Sequence, residues 1–133
     1  MAGVRPDQRP ISPHVSIWRW HVTMASSILH RATGFGLYVA ALGLALWLMA
    51  AAAGPQMYEP LMAFLMGPLG QIALYLIVAA IAYHLANGIR HLVFDTGAGL
   101  APSEADTTAW FVILFAIAVP IGLWALLTFG GVR

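Results

Sequence analysis

The stretch ATGFGLYVAALGLALWLMAAAAGPQMY, residues 32–58, contains no Asp, Glu, Lys or Arg. A helix rising ~1.5 Å per residue needs about 20 residues to cross ~30 Å of hydrocarbon, and this run exceeds that length. Two further runs behave alike, one between Glu59 and Arg90 and one between Asp106 and Arg133. The 133-residue chain is 61% hydrophobic and only 8% charged, a balance that a soluble domain of this size rarely carries. The expected fold is an all-α membrane protein with three transmembrane helices, placed over residues 24–53, 60–94 and 106–129, the second opening at about Pro60 or Pro68. Residues 1–22 read as an arm and 23–133 as one three-helix domain, with no room for a separate soluble one.

The chain has no cysteine, which excludes an iron–sulfur cluster with thiolate ligands, a disulfide or thiol chemistry built from this chain alone. Any such centre must sit on a partner. Net charge is +1, and no basic patch with interleaved aromatics occurs, so nucleic acid is not an expected partner. The N-terminal MAGVRPDQRPISPHVSIWRWHV lacks both the apolar core of a secretory signal and the long amphipathic run of a transit peptide. It reads as a mature cytoplasmic arm in which Pro6, Pro10 and Pro13 discourage a long helix. Gly54 and Pro55 mark the first loop, TGAGLAPSEADT the second, and Pro120 with Gly122 is expected to kink the third helix.

Orientation follows from the arginines, because the chain has no lysine. Arg5, Arg9, Arg19 and Arg31 precede or open helix one, the first loop has none, and Arg90 closes helix two. The positive-inside rule then puts the N-terminus and second loop in the cytoplasm, with the first loop and Arg133 outside. Two polar clusters, SILHR of helix one and HLANGIRH of helix two, consequently meet at the same membrane level.

At about 100° per residue, Ser27, His30, Arg31, Gly34 and Tyr38 share a stripe of helix one. His84, Asn87, Gly88, His91 and Asp95 do the same on helix two. His84 lies ten residues before Phe94, about 15 Å deeper by helical rise, and Gly88 leaves a gap one turn away. A deep imidazole beside such a gap suits a flat macrocycle, whose iron the ring nitrogen would bind. The other readings are a proton relay or, less favoured, a histidine that simply hydrogen-bonds a neighbouring helix. His91 and Arg31 near the interface can anchor the helix ends, and Arg31 can snorkel to headgroups. Ser27 and Arg31, one turn apart and expected to face the bundle, could together hold a polar carbonyl head whose oxygen gains charge on reduction. Trp18, Trp20, Trp47 and Trp110 read as interface belts.

Residues 9–33, RPISPHVSIWRWHVTMASSILHRAT, resemble the N-terminal motif of the cytochrome b membrane-anchor subunits of succinate dehydrogenase, with Arg-Pro followed by Ser-x-x-His-Arg-x-Thr. Residues 84–97, HLANGIRHLVFDTG, are similar to that family's second motif, His-x-x-x-Gly-x-Arg-His-x-x-x-Asp. Trp18 stands where tyrosine is frequent, and SPH in the arm is similar to the mitochondrial branch and its bacterial relatives. The resemblance covers nearly the whole chain. It implies that His84 is an axial ligand to haem b iron, the second axial histidine coming from a second small membrane-anchor subunit in a heterodimeric helix bundle. It implies that His30, Arg31 and His91 lie near the haem propionates, and that Ser27 and Arg31 line a ubiquinone head-group pocket. Arg90 and Asp95 are expected to order the cytoplasmic end against lipid or the iron–sulfur subunit.

The same resemblance implies partners. A flavoprotein subunit would oxidise succinate, an iron–sulfur subunit would carry the electrons, and ubiquinone would be reduced where that subunit meets Ser27 and Arg31. This chain alone would catalyse nothing; the expected location is the bacterial inner membrane, multi-pass in lipid. Two other readings stay open. A structural anchor with neither haem nor quinone has no reason to align His84 with Gly88 and His91, and a stand-alone haem cytochrome should carry paired deep histidines, where only His84 is deep.

Overall fold

The computed structural model describes residues 17–130, so Arg5, Arg9, Arg133 and most of the expected arm, with its three prolines and SPH, lie outside the described residues. Four helices follow in order: α1 (Val22–Ala53), α2 (Pro55–Met66), α3 (Pro68–Asp95) and α4 (Pro102–Phe129). The described residues contain no strand. Helices α1, α3 and α4 have 32, 28 and 28 residues and are long and apolar enough to cross a membrane. The described residues therefore form an all-helical protein with three transmembrane helices.

The second span, expected over 60–94 with a start at Pro60 or Pro68, takes the later start. The stretch before it is the separate 12-residue helix α2, at ~18 Å too short to span, and the crossing helix starts at Pro68. Glycine and proline chemistry makes the break. Pro55 and Pro68 each sit in the first turn of a new helix, where a missing N–H costs nothing. Gly67 is extended, as a residue before proline prefers, and its N–H closes α2 on Ala63 O and Phe64 O at 3.1 and 3.0 Å. A Cβ on Gly70 would run into the Leu65 backbone, so only glycine lets α3 turn this tightly off α2. Before α2, Gly54 takes φ +100°, a backbone state open chiefly to glycine. Trp47 Nε1 donates to Met62 Sδ at 3.4 Å, which lays α2 back on the end of α1.

Helix α4 begins about one turn before the expected residue 106, because Pro102 again initiates. It continues as helix through Pro120, the site of the expected kink, and Pro120 itself is buried. Helices α1, α3 and α4 each touch the other two, and α2 packs on α1 and α3.

Packing inverts the soluble pattern. The buried hydrophobic residues are mostly small, with Ala82, Ala109 and Ala116 beside Val112 and Tyr83, while Phe35, Leu69 and Phe129 are 72%, 71% and 78% exposed. In lipid no solvent drives large apolar groups inward, so small residues let helices approach and bulky ones face outward. The largest fully buried side chains are polar: Asn87 and Ser26.

Candidate functional site

Polar groups gather where the start of α1, the end of α3 and the start of α4 meet. On α3, Tyr83, Asn87 and Arg90 recur at i, i+4 and i+7, which places them on one buried face. The Tyr83 hydroxyl donates to Ser26 O at 2.8 Å and lies 3.0 Å from Ser26 Oγ. Ser26 Oγ donates to Asn87 Oδ1 at 3.0 Å, and Arg90 Nη1 donates to the same oxygen at 3.3 Å. Arg90 Nε donates to Thr108 Oγ1 and Nη2 to Ala105 O, both at 2.9 Å. Thr108 can accept because its own hydrogen points back to Glu104 O and Ala105 O. The guanidinium also lies 4.5 Å over the Phe94 ring. Interhelical hydrogen bonds in membranes average only about 0.6 kcal/mol, yet a buried donor left without its acceptor costs about 1–3 kcal/mol. The network therefore sets the register of three helices more than it adds stability.

Arg90 corrects the expectation that it faces lipid or a partner. Only 7% of it is exposed, and it orders this end of the bundle against α4 of its own chain. Asp95 is exposed at the end of α3.

Beside the network three imidazoles converge. His30 and His84 stack with ring centroids 3.9 Å apart and planes 9° apart, and His91 meets His30 edge-on at 5.4 Å. Asn87 Nδ2 is 3.3 Å from His91 Nε2, which ties the histidine group to the buried network. Thr33 Oγ1 is 3.4 Å from His84 Nδ1. Among the described residues, no hydrogen bond engages His84 Nε2, and His30 Nδ1 is buried without a partner.

The stripe on α1 is rotated from the expected one. Ser26, His30, Thr33 and Gly34 approach α3, whereas Ser27 is half-buried, Arg31 is exposed and Tyr38 is 65% exposed. Arg31 makes no hydrogen bond to another described residue and stands outside the histidine cluster. On α3, His84 is half-buried and His91 exposed. A Cβ on Gly88 would meet nothing within 4 Å, so the space beside it opens on the surface of the chain. The glycine that receives His84 is Gly34, where a Cβ would lie 3.1 Å from His84 Cε1. The sequence alone gives no role to Ser26, Tyr83 or Thr33 and gives Asn87 only a place on the stripe of His84; the 83, 87, 90 spacing of polar residues is the signal that marks their buried face.

A family model described as "Succinate dehydrogenase/Fumarate reductase transmembrane subunit" matches residues 5–123. The chain is 37% identical over 123 residues to the mitochondrial succinate dehydrogenase cytochrome b560 subunit of Bos taurus, covering 89% of this chain and 71% of that protein. It is 36% identical over 118 residues to the succinate dehydrogenase cytochrome b556 subunit of Rickettsia felis, covering 89% and 92%. The b560 subunit of Homo sapiens is 35% identical over 123 residues, covering 89% and 71%.

Proposed function

The chain belongs to the succinate dehydrogenase/fumarate reductase transmembrane subunit family, and on that premise we propose that it anchors a succinate:ubiquinone oxidoreductase, ligates haem b through His84 and lends Ser27 and Arg31 to the quinone site. The observation that carries the haem reading is the state of His84. Its Nδ1 faces Thr33, its Nε2 is engaged by no described residue, and Gly34 leaves space along its edge. When bound, haem b would supply a one-electron redox centre beside the quinone site.

Within the stacked pair, His84 is the imidazole that would hold iron. Parallel stacking of His30 on His84 at 3.9 Å leaves no space for a macrocycle between the two rings, so His30 is not the opposing ligand. A second histidine for the iron would come, as membership of the family suggests, from another membrane subunit seated against the bulky apolar surface these helices expose. His30, whose buried Nδ1 lacks a partner, and His91 are disposed to bind carboxylates such as haem propionates. Arg31, exposed one turn beyond Ser27, can reach outward to the propionates or to a quinone carbonyl held between subunits. A structural anchor lacking both ligands would leave the orphaned His30 Nδ1 and the open His84 Nε2 without purpose.

The arrangement supports a complex with a flavoprotein and an iron–sulfur subunit on the side of Ser27 and Arg31. We place that side in the cytoplasm of a bacterium, with the chain in its inner membrane, on the arginine distribution. A reporter fused within residues 97–105 should be active inside and one fused after Arg133 outside; the reverse result would part the quinone residues from the iron–sulfur subunit. The test of the function itself is a reduced-minus-oxidised optical spectrum of the purified complex, expected to show low-spin b-type haem. A complex that reduces ubiquinone with no such haem would sink the haem assignment.

A further inference from the structure

We infer that Thr33 is a positioning residue that fixes the tautomer of His84, and so tunes the iron ligand assigned to that imidazole. The inference rests on the haem reading above and adds to it a residue that acts only through His84. Its basis is the count of hydrogens on one hydroxyl. Thr33 Oγ1 lies 2.8 Å from Leu29 O and 3.1 Å from His30 O, and both carbonyls can only accept. The single hydroxyl hydrogen is therefore committed to the α1 backbone. Toward His84 Nδ1, 3.4 Å away, Thr33 presents lone pairs, so Nδ1 carries the proton and donates. A neutral imidazole protonated at Nδ1 has its lone pair on Nε2, the form that can bind iron through that atom.

Two neighbours on α1 hold the ring for this bond. Gly34 lets the helix backbone come close, since a Cβ there would stand 3.1 Å from Cε1 and 3.7 Å from Nδ1. The His30 ring covers one face of His84 with the planes 9° apart, which limits tilting. The bonds from the hydroxyl to Leu29 O and His30 O hold χ1 of Thr33, so its oxygen keeps its aim at His84. A donor bond from the outer nitrogen raises the basicity of a ligating histidine, and losing such a partner typically costs 10–100-fold in metal affinity. At 3.4 Å the bond is long, which puts the expected effect at the lower end of that range.

The experiment is an optical redox titration, with electron paramagnetic resonance, of the assembled complex carrying Thr33→Val, Thr33→Ala or Thr33→Ser. Without the hydroxyl, ferric iron should lose about tenfold in binding relative to ferrous iron, an upward shift of about 59 mV for a one-electron couple. Valine and alanine variants should both show the shift together with altered low-spin g values, and serine should keep the parent potential. Alanine adds no bulk, so it carries the test if the valine variant assembles poorly. Parent potential and g values in the alanine variant would overturn the role of Thr33. A parent complex without b-type haem would instead overturn the haem reading, and a shift shared by serine would assign the effect to packing of the methyl group and overturn the tautomer argument.

Discussion

Replacement of His84 by leucine is expected to strip b-type haem from the complex while α1, α3 and α4 still insert. Insertion depends on the charge-free lengths of those helices, which the substitution leaves apolar. Haem retention depends on a nitrogen that leucine lacks. Losing a residue that only supports a ligand already costs roughly 10–100-fold in metal affinity, so losing the ligand itself should exceed that range. The measurement is the haem-to-flavin ratio of the purified complex with its reduced-minus-oxidised spectrum. His30 complicates the outcome in an informative way. Its ring lies on that of His84 with Nδ1 unpartnered, so it is the nearest replacement nitrogen within the chain. Residual haem with shifted g values should vanish in a variant lacking both histidines, whereas an unchanged spectrum in His84→Leu removes His84 as a ligand.

The three crossings could be read from charge-free runs, because a missing charge over some 20 residues is a strong constraint in hydrocarbon. Helix azimuth could not be read so well. In a soluble helix, polarity marks the outer face; in a membrane helix lipid and interior are both apolar, so the pattern carries little rotational information. Ser26 and Ser27 are adjacent in the sequence but about 100° apart around α1. The expected stripe centred on Ser27 and Arg31, while the structure turns Ser26, His30 and Thr33 toward α3 and leaves Arg31 exposed. Knowing that Asn87 is the acceptor opposite Ser26 is what distinguishes the two serines, and that pairing spans 61 positions of sequence.

Arg90 makes the same point about charge. A single arginine at a helix end reads as a surface anchor, since burying a cation is expensive in lipid. Its burial becomes affordable only through Thr108, Ala105 and Asn87, which come from two helices. The choice between the two expected starts of the second span has a local reason. Pro60 looks like an initiator but lies inside α2, and the break belongs to Gly67 and Pro68. Both candidate breaks were visible as proline in the sequence; which one ends a helix depends on Gly70 giving the chain space to turn.

Ser27→Ala and Arg31→Leu are expected to damage quinone chemistry selectively. The two residues are one helical turn apart, half-buried and exposed respectively, so they sit on a face that another subunit or a bound quinone can complete. Removing one donor to an oxygen that gains charge in the transition state costs on the order of 10²-fold in rate, close to 3 kcal/mol. Electron flow from succinate to a soluble dye should survive in both variants, because the flavin and iron–sulfur centres proposed for the complex lie on other chains. Ser26→Ala is the internal control. It removes the donor to Asn87 Oδ1 and an acceptor for Tyr83, so it should lower the thermal stability of the complex with little effect on the affinity for ubiquinone. The opposite assignment, in which Arg31 serves only the haem propionates, predicts that Arg31→Leu loses haem before it loses ubiquinone reduction. If Ser27→Ala and Arg31→Leu assemble fully and turn over ubiquinone at the parent rate, the quinone site lies elsewhere on the complex.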